Sequence, residues 1–158
     1  MRPRSYPISR TALRLVAATV EDGPVGFEAD SRQVLVLDDD PVSLAIVEHA
    51  LVSAGLEVTT AGTAVDAMML ARRNHYDLVV ADYYLPDYPG TDFIRLMRQC
   101  DEYRDVPVIL LTGRADELDG KRLRDDLFVL LLAKGCSSEH LLLAVFKCLA
   151  AVRCLAWL

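Results

Sequence analysis

Val34-Leu35-Val36-Leu37-Asp38-Asp39-Asp40-Pro41 is the stretch from which the fold can be read. Four apolar residues run together, two of them β-branched, without the polar alternation of a half-exposed strand. That is the pattern of a short strand buried on both faces, as in a parallel sheet. Three aspartates end the run. Pro41 then suits the first turn of a helix, whose N-terminal dipole favours nearby carboxylates. Val42, Leu44, Ala45, Ile46, Val47, Ala50 and Leu51 follow at helical spacing, and Gly55 closes the helix.

The same cycle repeats down the chain. Glu57–Ala61 reads as a strand and Thr63–Asn74 as a helix. Asp77–Ala81 is a second apolar strand delivering an aspartate, Asp82, at its end, and Gly90–Gln99 leads into a helix. Val106–Leu111 is a strand ending at Thr112-Gly113, followed by a weaker helix over Arg114–Arg124. Leu127–Ala133 is a strand ending at Lys134-Gly135, and Ser137–Leu158 is a long final helix. Strands alternating with helices pair in parallel, with helices on both faces. For five strands the natural arrangement is a flavodoxin-like doubly wound α/β sheet of order 2-1-3-4-5. Residues 33–158 thus read as one domain with an extended last helix. Residues 1–32 carry Pro3, Pro7, Gly23, Pro24 and Gly26 and read as a partly disordered tail or linker, with room for a short helix around Thr11–Val20.

Bulk properties narrow the function. A chain of 158 residues with a net charge of −6 suits one domain plus a tail, and its acidic balance argues against direct nucleic-acid binding. Cys100, Cys136, Cys148 and Cys154 lack zinc-ligand spacing and read as free thiols in a reducing compartment. The basic N-terminus has no long apolar core followed by a small-residue cleavage site, so a cytoplasmic location is expected. The apolar stretch from Glu139 to Leu158 is interrupted by Lys147 and Arg153. One such charge near the centre of a span costs about 2.5–3.5 kcal/mol, so a buried or partner-facing helix is expected rather than a membrane span.

In a sheet of this order, ligands bind outside the carboxyl ends of the strands, at the switch point between the first and third. Those ends carry Asp38, Asp39 and Asp82, and the neighbouring ends add Thr112 and Lys134. Crowded carboxylates must either take up protons or hold a cation. An all-oxygen set without histidine or cysteine points to a hard ion, Mg2+ foremost. One carboxylate oxygen then remains to attack phosphorus, while the lysine and the hydroxyl answer phosphoryl oxygens. Each residue alone is weak, since an aspartate closing a strand is more often a cap or turn residue. The conjunction of four strand ends on one rim is what carries weight. His49, His75 and His140 lie away from the rim. Ser, His and Asp do not converge as in a hydrolase, and there is no Gly-rich phosphate loop.

The opening stretch, then Asp77-Leu78-Val79-Val80-Ala81-Asp82-Tyr83-Tyr84-Leu85-Pro86 with Gly90 beyond it, then Pro107-Val108-Ile109-Leu110-Leu111-Thr112-Gly113, closely resembles the receiver domains of two-component response regulators. The resemblance covers Gln33 to Leu149. It implies that Asp82 is the phosphoacceptor, phosphorylated by a histidine kinase or histidine phosphotransfer protein. It implies Asp39 as the direct carboxylate ligand of Mg2+, Asp38 acting largely through water, and the Tyr84 main-chain carbonyl as a further ligand. Thr112 then resembles the switch hydroxyl and Lys134 the phosphate-pairing lysine. Such a domain catalyses its own phosphorylation and dephosphorylation without being a conventional turnover enzyme. It would signal through a downstream protein or a homodimer formed by the last helix, by rearranging the face built from the fourth and fifth helices and the fifth strand. Both a stand-alone regulator and a receiver belonging to a hybrid kinase fit.

Three departures bear on these expectations. Gly135 follows Lys134 where the family usually has proline. Leu131 stands where many members carry an aromatic switch residue. Tyr84 and Arg114 occupy positions that in the family flank the route of the hydrolytic water, where their bulk would shield an acyl phosphate. A second reading therefore stays open: a degenerate receiver acting as a phosphorylation-independent interaction module. A flavodoxin-like enzyme fits less well, because clustered carboxylates would repel a cofactor phosphate.

Overall fold

The computed structural model describes residues 32–114 and 128–155. The expected N-terminal tail and nearly all of the helix expected over 114–124 lie outside these residues. Elements follow in the order β1 (Gln33–Leu37), α1 (Pro41–Ser53), β2 (Glu57–Ala61), α2 (Ala64–Ala71), β3 (Leu78–Asp82), α3 (Gly90–Met97), a 3-10 turn (Asp101–Tyr103), β4 (Val108–Thr112), β5 (Val129–Ala133) and α4 (Ser138–Leu155). The strands form one parallel sheet of order β2-β1-β3-β4-β5, as expected from the alternation of elements.

The absence of polar alternation in the central strands follows from burial on both sides. Leu35, Leu37, Val79, Ala81, Val108 and Leu110 face one core with Ala64, Ala67 and Ala71 of α2 and Phe93, Ile94 and Met97 of α3. Val34, Val36, Leu78, Val80, Ile109 and Leu111 face the other, under Val47 and Leu51 of α1 and Leu141, Ala144, Val145 and Leu149 of α4. Helix α1 opens on Asp40, whose carboxylate accepts from the Val42 and Ser43 N–H groups, a capping role for the third aspartate of the triplet. It ends in a Schellman motif. The Leu56 N–H donates to the Leu51 carbonyl and the Gly55 N–H to the Val52 carbonyl, with Gly55 at φ +87°.

Three strands differ in their bounds from the sequence reading. The third runs Leu78–Asp82 rather than Asp77–Ala81, the fourth Val108–Thr112 rather than Val106–Leu111, and the fifth begins at Val129 rather than Leu127. Asp82 and Thr112 are therefore last strand residues, because the ladder continues: Asp82 pairs with Leu111 and the Tyr83 N–H donates to the Leu111 carbonyl at 2.9 Å. Helices α2 and α3 stop at Ala71 and Met97, short of Asn74 and Gln99. The Arg73 and Asn74 N–H groups both return to the Leu70 carbonyl, and the chain after α3 tightens into the 3-10 turn that buries Tyr103. No helix among the described residues is long and apolar enough to cross a membrane. Cys100, Cys136 and Cys148 are free, and burial pushes the Cys148 thiol up to about 11.

Candidate functional site

The carboxyl ends of β1 and β3 lie side by side, with Leu37 opposite Ala81. The residues that follow, Asp38 and Asp39 on one side and Asp82 on the other, therefore meet at one rim. Each can offer an oxygen such that all three lie within 4.8 Å of one another. Asp38 and Asp82 are buried and Asp39 is exposed, so the pocket has a dry floor and a wet lip.

Lys134 reaches this cluster from the end of β5. Its backbone N–H donates to the Thr112 carbonyl at 2.8 Å, continuing the β4–β5 ladder one residue past the strands. The ammonium donates to Asp82 Oδ2 at 2.5 Å and lies 3.0 Å from Asp38 Oδ2 and 3.2 Å from Asp38 Oδ1. Burial alone would lower the Lys134 pKa, but hydrogen bonds to Asp82 and Asp38 outweigh it and raise it, so the ammonium stays charged. The following turn needs Gly135, which sits at φ +84° where a side chain would be strained.

One ammonium against three carboxylates leaves the pocket formally at −2. Asp38 Oδ1 accepts the Asp40 N–H at 2.9 Å, yet the buried Oδ2 finds no hydrogen-bond donor despite its nearness to the ammonium. A buried carboxylate oxygen without a donor, in an all-oxygen cluster of net negative charge, suits a hard divalent cation. The donor set present fits Mg2+.

Thr112 is buried at the end of β4, one residue beyond Asp82's register partner Leu111, and its hydroxyl accepts the Arg114 N–H at 3.1 Å. Tyr84 stays beside Asp82 through its N–H, donated to Asp82 Oδ1 at 3.3 Å. Its ring is exposed and meets Tyr83 edge-on. The strand-end residues singled out from sequence thus share one rim, and Lys134, Asp38 and Asp82 touch directly. Leu131, by contrast, is 38% exposed on the edge strand.

A model of the response regulator receiver domain matches residues 34–146. The chain belongs to that family. The chain is 43% identical over 81 residues to a probable transcriptional regulatory protein of Mycobacterium tuberculosis, TcrX, covering 51% of this chain and 34% of that protein. It is 27% identical over 94 residues to the polar-differentiation response regulator DivK of Brucella abortus, covering 60% of this chain and 76% of that one. The receiver chain spans 34%, 16% and 14% of the first curated relatives it matches, so those proteins extend well beyond the matched region. Among solved structures, a chemotaxis response regulator of Vibrio cholerae superposes with TM-score 0.70 at 25% identity, covering 75% of this chain and 98% of that one. The receiver domain of a sensor histidine kinase from Pseudomonas aeruginosa PAO1, with a magnesium ion in its active-site cleft, superposes with TM-score 0.70 at 28% identity, covering 76% and 98%.

Two features of this receiver domain were not legible in sequence. Gly90 opens α3 so close to the strand that a Cβ there would stand 2.4 Å from the Asp82 carbonyl oxygen. Asp87, not singled out in the sequence, accepts the Ala64 N–H at 3.0 Å and the Val65 N–H at 2.9 Å, across 23 and 22 residues. The Thr63-x-x-Asp66 cap of α2 holds only the Asp66 N–H, so two N–H groups needed another acceptor, and that shortfall was the one available signal.

Proposed function

We propose that this receiver domain accepts a phosphoryl group on Asp82 in a Mg2+-dependent reaction, taking it from a phosphohistidine on a histidine kinase or histidine phosphotransfer protein. The observation that carries the reading is the Lys134 ammonium bonded to a buried Asp82 whose carboxylate shares an oxygen cluster with Asp38 and Asp39. Asp38, Asp39, Asp82 and the main-chain carbonyl of Tyr84 would hold the ion. When bound, Mg2+ supplies charge neutralisation for the phosphoryl oxygens.

The chain's own residues do the rest. Asp82 presents an ionised oxygen in line with the donor; its O–P bond forms as the donor's N–P bond breaks, and the imidazole leaves with the bonding pair. Lys134, already paired to Asp82, moves its bonds to the incoming phosphoryl oxygens. Thr112 exchanges the Arg114 N–H it now accepts for a hydroxyl bond donated to the phosphoryl group, and that exchange would start the conformational signal. Tyr84 and Arg114, both exposed at the rim, would screen the acyl phosphate from water.

The partner side is supported by α1. Its outer face shows Val42 at 64% and Ile46 at 60% exposure with the exposed Ala45 and His49 beside them, and Glu48 is its one acidic residue. An apolar face that begins at the acidic rim suits a helical donor presenting its histidine toward Asp82. We assign residues 33–158 to the receiver domain and 1–32 to an N-terminal tail or linker, and a cytoplasmic location fits a kinase partner. Output would pass to a downstream protein or through a homodimer formed by the last helix, where Leu143 is exposed.

The test is labelling with acetyl phosphate in Mg2+. Stoichiometric labelling that disappears with EDTA and in Asp82→Asn supports the reading. Leu131, half-exposed in place of an aromatic switch, favours a phosphorylation-independent module instead. A folded wild-type chain that takes no label would leave that reading standing.

A further inference from the structure

The acidic pocket is built from two pieces of chain that the sheet holds together only at its floor. Asp38 and Asp39 follow β1, while Asp82 and Tyr84 belong to β3 and its loop. Above the floor, the Asp38 N–H donates to the Ala61 carbonyl at 3.1 Å, tying the first piece to the turn between β2 and α2. The second piece is a hairpin-like loop. Its base is closed by the Tyr84–Pro89 bridge and by the Gly90 N–H, which donates to the Tyr83 carbonyl at 2.7 Å. Leu85 packs on the core beneath.

Asp87 joins these two pieces. Its carboxylate takes the Ala64 N–H on Oδ1 and the Val65 N–H on Oδ2, while Oδ1 also takes the Tyr88 N–H at 3.1 Å. The anchor is therefore bidentate on two N–H groups of the α2 N-terminus that Thr63 leaves unpaired, and it is charge-assisted. A closed circuit results: Asp38 to Ala61, through Gly62 and Thr63 to Ala64, across to Asp87, and back along the loop to Tyr84 and Asp82.

We propose that Asp87 is a positioning residue for the metal site, stapling the Asp82 loop to the β2–α2 turn and so fixing the spacing between the Asp38-Asp39 side and the Asp82-Tyr84 side. Asp87 is not one of the three carboxylates of the cluster and would act through the loop alone. Mg2+ demands near-ideal octahedral placement, so loosening one side of its site weakens binding more than it disturbs the fold. The inference rests on the Mg2+ pocket proposed above.

The experiment is calorimetric titration of MgCl2 into the full chain, with acetyl phosphate labelling across the same Mg2+ range. Asp87→Ala should weaken Mg2+ binding about tenfold, the lower end of what losing an outer-shell partner costs. The Mg2+ concentration for half-maximal labelling should rise by the same factor, with the rate at saturating Mg2+ unchanged. Asp87→Asn, isosteric but with only one oxygen, should shift both in the same direction by less, and it serves if the alanine variant folds poorly. Thr63→Ala removes α2's own cap without touching the staple; it should lower the melting temperature while leaving Mg2+ affinity within twofold. Mg2+ affinity unchanged in both Asp87 variants, or weakened as much by Thr63→Ala, overturns the staple and leaves the proposed function intact. A wild-type chain that binds no Mg2+ overturns both.

Discussion

The two ends of this one sheet treat their polar groups in opposite ways. At the amino end, charges are matched and closed. Arg32 pairs with Asp77 Oδ1 at 3.0 Å while Asp77 Oδ2 accepts the Gln33 N–H. Arg98 spans the Tyr103 and Val106 carbonyls at 2.6 and 2.7 Å, and the Tyr103 hydroxyl donates to the Asn74 carbonyl. Among the described residues, the Tyr76 hydroxyl alone is left over there. At the carboxyl end, three carboxylates crowd one ammonium and a charged oxygen goes without a donor. A polar network satisfied by its own partners holds a fold together, whereas one left short of positive charge holds a place for something else. The amino end should therefore answer to mutation in stability and the carboxyl end in chemistry.

Lys134→Ala gives the largest separation. Removing the ammonium strips the phosphoryl group of its fixed cation, and losing one such preorganised donor costs about a hundredfold in rate, about 2.7 kcal/mol of barrier. Initial rates of acetyl phosphate labelling at saturating Mg2+ measure it. A drop of less than threefold would mean that Lys134 serves only to neutralise the carboxylates, and the contrast between the two ends would lose its chemical half.

Arg98→Ala tests the stability half. Two carbonyls at the amino end, on Tyr103 and Val106, would lose a charged donor, which costs about 1.5–3 kcal/mol. Urea unfolding should show that loss, and the labelling rate of the folded variant should match wild type. A labelling defect as large as that of Lys134→Ala would show that the two ends are not separable.

The contrast also explains what could be read from the sequence. The fold was legible because doubly buried strands leave a continuous apolar signature, as in Val34–Leu37 and Leu78–Ala81, and because Gly55 and Pro41 mark the ends of α1. The rim was legible because strand order brings the carboxyl ends of β1 and β3 together, so Asp38 and Asp82 needed no long-range information. Boundaries at Asp82 and Thr112 slipped by one residue, since ladder hydrogen bonds continue past the last apolar side chain. Asp87 was hidden for a different reason. Its partners are backbone N–H groups more than twenty residues away, and backbone groups have no sequence signature.

Asp87 also gives the comparison a pH dependence. Burial pushes its pKa upward, but the N–H donors of Ala64, Val65 and Tyr88, with its own, prevail and hold it below the usual carboxylate range. A pKa lowered by folding means that the contribution is fully present above the unfolded value of about 3.9, and is lost as pH falls through the folded value. Wild type should therefore lose this contribution over the acid range below about pH 4, and Asp87→Ala should lack that part of the acid sensitivity. Parallel curves for the two proteins across that interval would mean that the carboxylate holds α2 no better than solvent does.

The smallest effect is expected at Leu131, and its smallness is informative. On β3 and β4 every residue is buried, while on the edge strand β5 no residue is, and Leu131 and Ala133 are exposed. Leu131 pairs with Leu110 but directs 38% of its surface to solvent. Replacing it with threonine keeps β-propensity and removes little buried area, so unfolding free energy should change by no more than about 0.5 kcal/mol. Labelling by acetyl phosphate should not change either, since Leu131 lies short of the rim that Ala133 and Lys134 form. If Leu131→Thr instead altered labelling or its Mg2+ dependence, the edge strand would be coupled to Thr112 and Lys134 without an aromatic ring, and the division of the sheet into a structural end and a chemical end would have to extend sideways along β5.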